Sequence, residues 1–210
     1  MIKKNLKVLI ITSVILLLPI LAGLILWDQL PEQMPTHWNA SGEIDGWSSK
    51  PFAIFGLPLI LLAAQWLCML AACADPKKSN HPTKVIHLVL WIMPALSVLL
   101  HTVTYMAALG MKIRMERIMP VFMGLLFVMI GNYMPKCKQN YTIGIKIPWT
   151  LDNEENWNQT HRFAGFLWVV GGIVIMLTAF LGSIWVFMAI TLLMAMAPVI
   201  YSYMLHRKGL

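Results

Sequence analysis

FAGFLWVVGGIVIMLTAFLGSIWVFMAITLLMAMAPVIYSYMLH, residues 163–206, runs for 44 positions without one Asp, Glu, Lys or Arg. As a single helix it would be about 66 Å long, twice the roughly 30 Å of a bilayer's hydrocarbon core. Gly182 and Ser183 stand near its middle, so the stretch is read as two membrane-spanning helices joined by a tight turn. Four more charge-free runs precede it. Lys7 and Asp28 enclose residues 8–27, Lys50 and Asp75 enclose a usable run at 52–74, Lys84 and Lys112 enclose a run from Val85, and Arg117 and Lys136 enclose 118–135. The first run exceeds the 7–15 residues of a signal-peptide core, and no A-x-A site follows it before Asp28, so it is read as a retained span.

The expected fold is therefore all-α: a polytopic transmembrane bundle of six spans. Composition agrees, with 59% of the 210 residues hydrophobic and 12% charged. Soluble domains carry about 25% charged residues. The net charge of +7 would point to nucleic acid in a soluble protein, but here it is read as a record of loop sidedness, with lipid and not nucleic acid as the partner. With the N-terminus inside, residues 1–7, 75–84, 136–162 and 207–210 hold 12 of the 16 Lys and Arg. That places both termini in the cytoplasm of a plasma-membrane protein. Lys112, Arg114 and Arg117 fall on the wrong side of this scheme.

Small residues at a spacing of seven share a helix face. Gly165, Gly172 and Ala179 do so, as do Gly124 with Gly131 and Ala64 with Ala71, which predicts close helix packing. Pro19, Pro58, Pro94 and Pro198 lie inside spans. No span carries an acidic or basic residue near its middle, which argues against an ion-coupled pump. His87 and His101 are about 21 Å apart on one helix, too far to share a metal, and are expected near opposite interfaces. There is no HExxH, GxSxG or phosphate loop. No enzyme activity, cofactor or metal site is expected. Cys68, Cys73 and Cys137 form no framework.

Two loops hold the unusual polar residues. Residues 28–51 form an acidic outer loop in which Pro31, Pro35, Gly42 and Gly46 predict a turn-rich segment rather than a helix. His37, Trp38, Asp45 and Trp47 are its candidate contact residues, and the loop is read either as an ordered cap over the bundle or as a binding surface for an extracellular cationic or amphipathic partner. Residues 136–162, KCKQNYTIGIKIPWTLDNEENWNQTHR, form an inner loop. Asp152 and Glu155 make an Asp-x-x-Glu capping pattern, predicting a helix from about Asn153 into the fifth span. Trp149, Trp157 and Trp168 are read as interfacial aromatics. The many uncharged hydrogen-bonding groups suit either a peptide backbone or a fixed loop conformation.

The run from Gly131 to Gly165 resembles the signature of the SdpI family of bacterial membrane proteins. The resemblance rests on Gly131-Asn132, Asn140, Gly144-Ile145, Pro148-Trp149-Thr150-Leu151, Trp157 and Thr160-His161-Arg162. Residues 30–47 are similar to a second membrane domain of unknown function that often precedes the first. Residues 1–84 are thus read as an N-terminal membrane domain and 85–210 as an SdpI-like domain. Lys146 stands where the family pattern has Arg, and it lacks the planar fork of a guanidinium. The resemblance implies immunity: resistance to a secreted, membrane-active toxic peptide, with signalling through a transcriptional repressor held at the membrane. The implied partner-binding or loop-organising residues are Asn132, Lys138, Asn140, Gly144, Lys146, Pro148, Trp149, Thr150, Trp157, His161 and Arg162. The alternative reading is a small transporter or exporter of an amphipathic solute, motivated by the proline-bearing spans. The oligomeric state is open.

Overall fold

The computed structural model describes residues 1–210. It contains six helices long and apolar enough to cross a membrane, those of a multi-pass membrane protein. These are α1 (Ile2–Ile25), α2 (Leu57–Ala74, entered through a π-turn at Phe52–Gly56), α3 (Thr83–Ala108), α4 (Met115–Tyr133), α6 (Glu154–Thr178) and α7 (Ile184–Arg207), with a short α5 (Pro148–Asp152) before α6. The long apolar run breaks where expected. Gly182 takes φ 62°, a left-handed conformation that glycine adopts without steric cost, and α7 starts two residues later. α4 starts earlier than the charge-free run, because Met115, Glu116 and Arg117 extend it by most of a turn. A helix satisfies its own backbone past the lipid edge, so its polar first turn stays helical.

The outer loop departs from the all-α expectation. Residues Gln33–Trp38 (β1) and Ile44–Ser49 (β2) pair as an antiparallel hairpin, with Pro35 opposite Trp47 and Trp38 opposite Ile44. In a two-stranded sheet each strand has a free edge, and proline is tolerated there. The turn is organised by Asn39, whose side-chain oxygen accepts the N–H groups of Ser41 and Glu43, and by Gly42 at φ 80°. An isolated hairpin is marginal in water. This one is anchored by Leu30 and Met34, which are buried with Ala53, Ile54 and Tyr105. Lys50 fixes its exit, donating to the Trp27 carbonyl at 3.2 Å and pairing with Glu32 at 2.9 Å.

The chain forms two compact units, Met1–Leu70 with His87–Met115, and Ala71–Ile86 with Glu116–Leu210. In the first, polar side chains join the helices. Gln65 donates to the hydroxyls of Thr12 and Ser13, both at 3.1 Å. Ser97 donates to the Leu16 carbonyl at 2.8 Å, and Tyr105 to that of Pro19 at 2.9 Å. Such bonds supply association energy that lipid does not, about 0.6 kcal/mol each on average. His87 meets Asn5 at 3.2 Å. His101 is buried about two turns inside the end of α3, its Nδ1 on the Ser97 carbonyl.

The second unit closes on glycine. A Cβ added at Gly131 would meet the Gly165 carbonyl oxygen at 2.8 Å, and one added at Gly124 would meet that of Gly172 at 2.6 Å. The expected packing faces of α4 and α6 are thus the ones that touch. Ala64 and Ala71 do not form such a face. Ala71 is exposed, and α2 buries Gln65, Met69 and Ala72 instead. Trp168 crosses from α6 to donate to the Met194 carbonyl at 2.9 Å on α7. Replacing Gly172 by Leu is expected to cost about 1–3 kcal/mol by overpacking, read as a lower melting temperature in detergent, whereas Ala71→Leu leaves the melting temperature within about a degree of wild type.

Candidate functional site

The segment between α4 and α6 has almost no regular structure, yet its backbone is held at nearly every step. Its floor is α6, where Trp157 is fully buried and stacks on His161 with ring centroids 4.0 Å apart. The Trp157 indole donates to the Cys137 carbonyl at 2.7 Å, fixing the start of the loop. His161 fixes its middle. Its Nδ1–H donates back to the Trp157 carbonyl at 2.8 Å, so its Nε2 is free to accept the Ile145 N–H at 3.0 Å. Between these points Gly144 has φ 126° and lies against both rings, so that a Cβ there would run into His161 and Trp157. Glycine is required on both counts.

Asn140 folds the tip. Its amide donates to the carbonyls of Lys138 and Ile143 at 2.8 and 2.9 Å, and its oxygen accepts the N–H groups of Thr142 and Ile143. Thr150, in α5, accepts the Ile147 N–H at 3.1 Å and lies 2.8 Å from the Ile145 carbonyl. Gln139 donates to the carbonyls of Thr150 and Leu151, both at 2.9 Å, tying α5 to the loop start.

The 75–84 segment supplies the other wall. Asp75 accepts four donors: the backbone N–H of Lys77 at 2.7 Å, the N–H of Tyr141 and the hydroxyl of Thr142 at 2.9 Å each, and His81 at 3.2 Å. Burial alone would raise its pKa, but those donors and the neighbouring histidine outweigh it and hold the carboxyl below its ordinary value. Lys77 bonds the Gln139 side chain, and Asn80 donates to the Gln139 carbonyl at 2.8 Å. Below, Asn156 reaches α7. It donates to the Ser202 and Leu210 carbonyls at 3.0 and 3.1 Å and accepts the Ser202 hydroxyl at 2.5 Å.

The result is a polar cap whose hydrogen-bonding side chains are spent largely on its own backbone. Both nitrogens of His161 are engaged, leaving it no lone pair for a metal or a substrate proton. Burial pushes the Cys137 thiol up to about 11, far from a reactive thiolate. What the cap presents outward is Lys138, Tyr141, Lys146 and Pro148, all exposed.

Residues 136–202 match the SdpI/YfhL protein family, and residues 14–62 match a domain of unknown function, DUF1648. The two matched segments stand in one chain, separated by residues 63–135. The chain is 29% identical over 209 residues to the protein named Immunity protein SdpI of Bacillus subtilis (strain 168), covering 98% of this chain and 97% of that one. No solved structure matches. The SdpI-family match holds the inner wall of the cap. Asp75, Asn80 and His81 lie outside both matched segments.

Of the motif residues, Asn140, Gly144, Thr150, Trp157 and His161 meet in the cap. Lys138 lends only its carbonyl, and the exposed Lys146 donates to the Thr142 carbonyl at 2.9 Å. Trp149 packs on Tyr203 and His206 of α7, with centroids 5.5 and 5.9 Å away. Pro148 opens α5 at its first turn. Asn132 and Arg162 are exposed and outside the cap. Trp157 is not an interfacial anchor, because its whole side chain is inside. Asp152 does not cap the long helix. It ends α5, and Asn153 takes the role one residue later, accepting the Asn156 N–H at 2.9 Å. In the hairpin, His37 and Asp45 pair at 2.5 Å, Pro35 is buried, and Pro31 and Trp47 are exposed. Asp75, His81, Gln139 and Ser202 are not singled out by the sequence; a lone acid directly after a span is the one available signal.

In a protein whose other cysteines are Ser, Cys137 is expected to react with a maleimide at least about tenfold faster in Asn140→Ala than in wild type, because the lost bonds, worth about 1–3 kcal/mol, shift the loop toward open forms. Equal rates would show that Asn140 does not hold the cap. Acid acts through Asp75. A carboxyl with a lowered folded pKa contributes stability above its unfolded value, about 4, and loses it as pH falls through the folded one. Cys137 accessibility is therefore expected to rise in wild type below about pH 4, and to be raised already at neutral pH, with no acid step, in Asp75→Asn.

Proposed function

We propose that this is an integral-membrane immunity protein that protects a bacterial cell from a secreted, membrane-active toxic peptide. The observation that carries the reading is the end-to-end likeness to a protein named for immunity, which spans both matched segments and the residues between them. The cap supports a binding role over a chemical one, since its donors and acceptors are spent on its own backbone. In this reading the 12-to-4 split of cations sets both termini and the cap in the cytoplasm and the acidic hairpin outside. The hairpin, with Glu32, Glu43 and Asp45, meets the cationic or amphipathic peptide. The exposed rim of the cap, Lys138, Tyr141, Lys146 and Pro148, meets a cytoplasmic protein such as a transcriptional repressor.

Deleting the gene is expected to sensitise cells to the cognate peptide, and re-expression to restore survival. Asn140→Ala and Trp149→Ala are expected to abolish that rescue while membrane levels stay normal. Unchanged survival on deletion, or full rescue by both variants, contradicts the reading. Solute flux into proteoliposomes would favour the export alternative.

A further inference from the structure

Two motif residues have no part in the cap. Asn132 on α4 and Arg162 on α6 are both exposed. They sit beside the contact that joins these helices. Asn132 follows Gly131, and Arg162 comes three residues before Gly165, the glycine that Gly131 meets. The helices run antiparallel here, since Gly124 meets Gly172 and Gly131 meets Gly165. One step forward on α4 and three steps back on α6 then turn both side chains to the same side of the seam. Asn132 is rotated about 100° from the contact and Arg162 about 60°, displaced about 1.5 and 4.5 Å toward the same end. On that side, deeper along the helices, the same rotation places Leu125 of α4 and Phe166 and Ile173 of α6, all exposed.

Arg162 has no carboxylate partner. The three ion pairs of the protein are His37–Asp45, Lys50–Glu32 and His81–Asp75. The acid nearest to Arg162 on its face of α6, Glu155, lies two turns away and accepts a hydrogen bond from Gln159. The seam therefore ends in an unpaired guanidinium beside an unpaired amide, above a furrow with apolar walls. A guanidinium fork binds phosphate through two parallel bonds, and the amide adds a third donor. Acyl chains suit the apolar walls below. A soluble anion would leave that furrow unused, and a cationic peptide is repelled by the arginine.

We propose that the α4–α6 seam is a binding site for one anionic phospholipid, its phosphate held by Arg162 and Asn132 and its chains lying along Leu125, Phe166 and Ile173. The site is separate from the cap and from the hairpin, and its test is independent of the immunity reading.

The test is native mass spectrometry of the purified full chain, offered phosphatidylglycerol and phosphatidylcholine in equal amounts. Wild type is expected to retain phosphatidylglycerol by about tenfold over phosphatidylcholine. Arg162→Gln combined with Asn132→Ala is expected to fall to near parity while helical content and melting temperature hold. Arg207→Gln with Lys208→Gln, which removes the same or more charge elsewhere in this unit, is expected to keep the preference. Inorganic phosphate in excess is expected not to displace the lipid. Should the double variant not fold, Arg162→Lys keeps the charge and loses the fork, with about a threefold drop expected. The proposal is overturned if wild type shows no preference, if the seam variants keep it, if the Arg207 and Lys208 variant loses it equally, or if inorganic phosphate displaces the lipid.

Discussion

One imidazole divides its two nitrogens between a helix and a loop, and the cap depends on that division. His161 donates from Nδ1 to its own helix at Trp157 and accepts at Nε2 from Ile145. The first bond sets the tautomer that makes the second possible. Trp157 stacks beneath the ring and holds the loop start. A buried polar loop carries a heavy desolvation penalty unless its groups are paired. Here they are paired by side chains: Asn140 for the tip, Thr150 and Gln139 for the approach to α5, Asp75 for the outer wall. The loop is rigid without being a helix or a strand.

Lipid imposes a different rule on the rest of the chain. Helices there gain little from apolar burial, so proximity must come from small residues and from a few hydrogen bonds. The two units solve this in different ways. The first uses polar links, Gln65 to Thr12 and Ser13, Ser97 to Leu16, Tyr105 to Pro19. The second uses glycine, with Gly124 on Gly172 and Gly131 on Gly165 bringing backbones together. That close seam also carries α6, and with it Trp157 and His161, to the place where the loop leaves α4.

The spans were legible in the sequence because exclusion of charge from hydrocarbon is a hard constraint. The break at Gly182 and the glycine faces of α4 and α6 followed from the same reasoning. The inner half of the cap was legible as a concentration of Asn, Gly, Trp and His, but its pairing was not. Asp75 lies 66 residues from Tyr141, and no local pattern announces so distant a partner. The hairpin was missed because its strands are short, contain Pro35 and Gly46, and alternate poorly, with a bulge around His37. What stabilises it is the burial of Leu30 and Met34 against α2 and α3, a tertiary effect. Asp152 against Asn153 was a choice between adjacent good caps, and the short helix of Pro148–Asp152 claimed the first.

The central claim is that residues 137–147 form one fixed structure centred on His161. Amide hydrogen exchange of the purified protein in detergent, resolved at Tyr141 and Ile145, tests it most directly. These two N–H groups are expected to exchange orders of magnitude more slowly than in a free peptide, and Ile145 is expected to lose its protection in His161→Ala while the amides of α6 keep theirs. Exchange at free-peptide rates in the unaltered protein, or protection at Ile145 that survives loss of the imidazole, would contradict it.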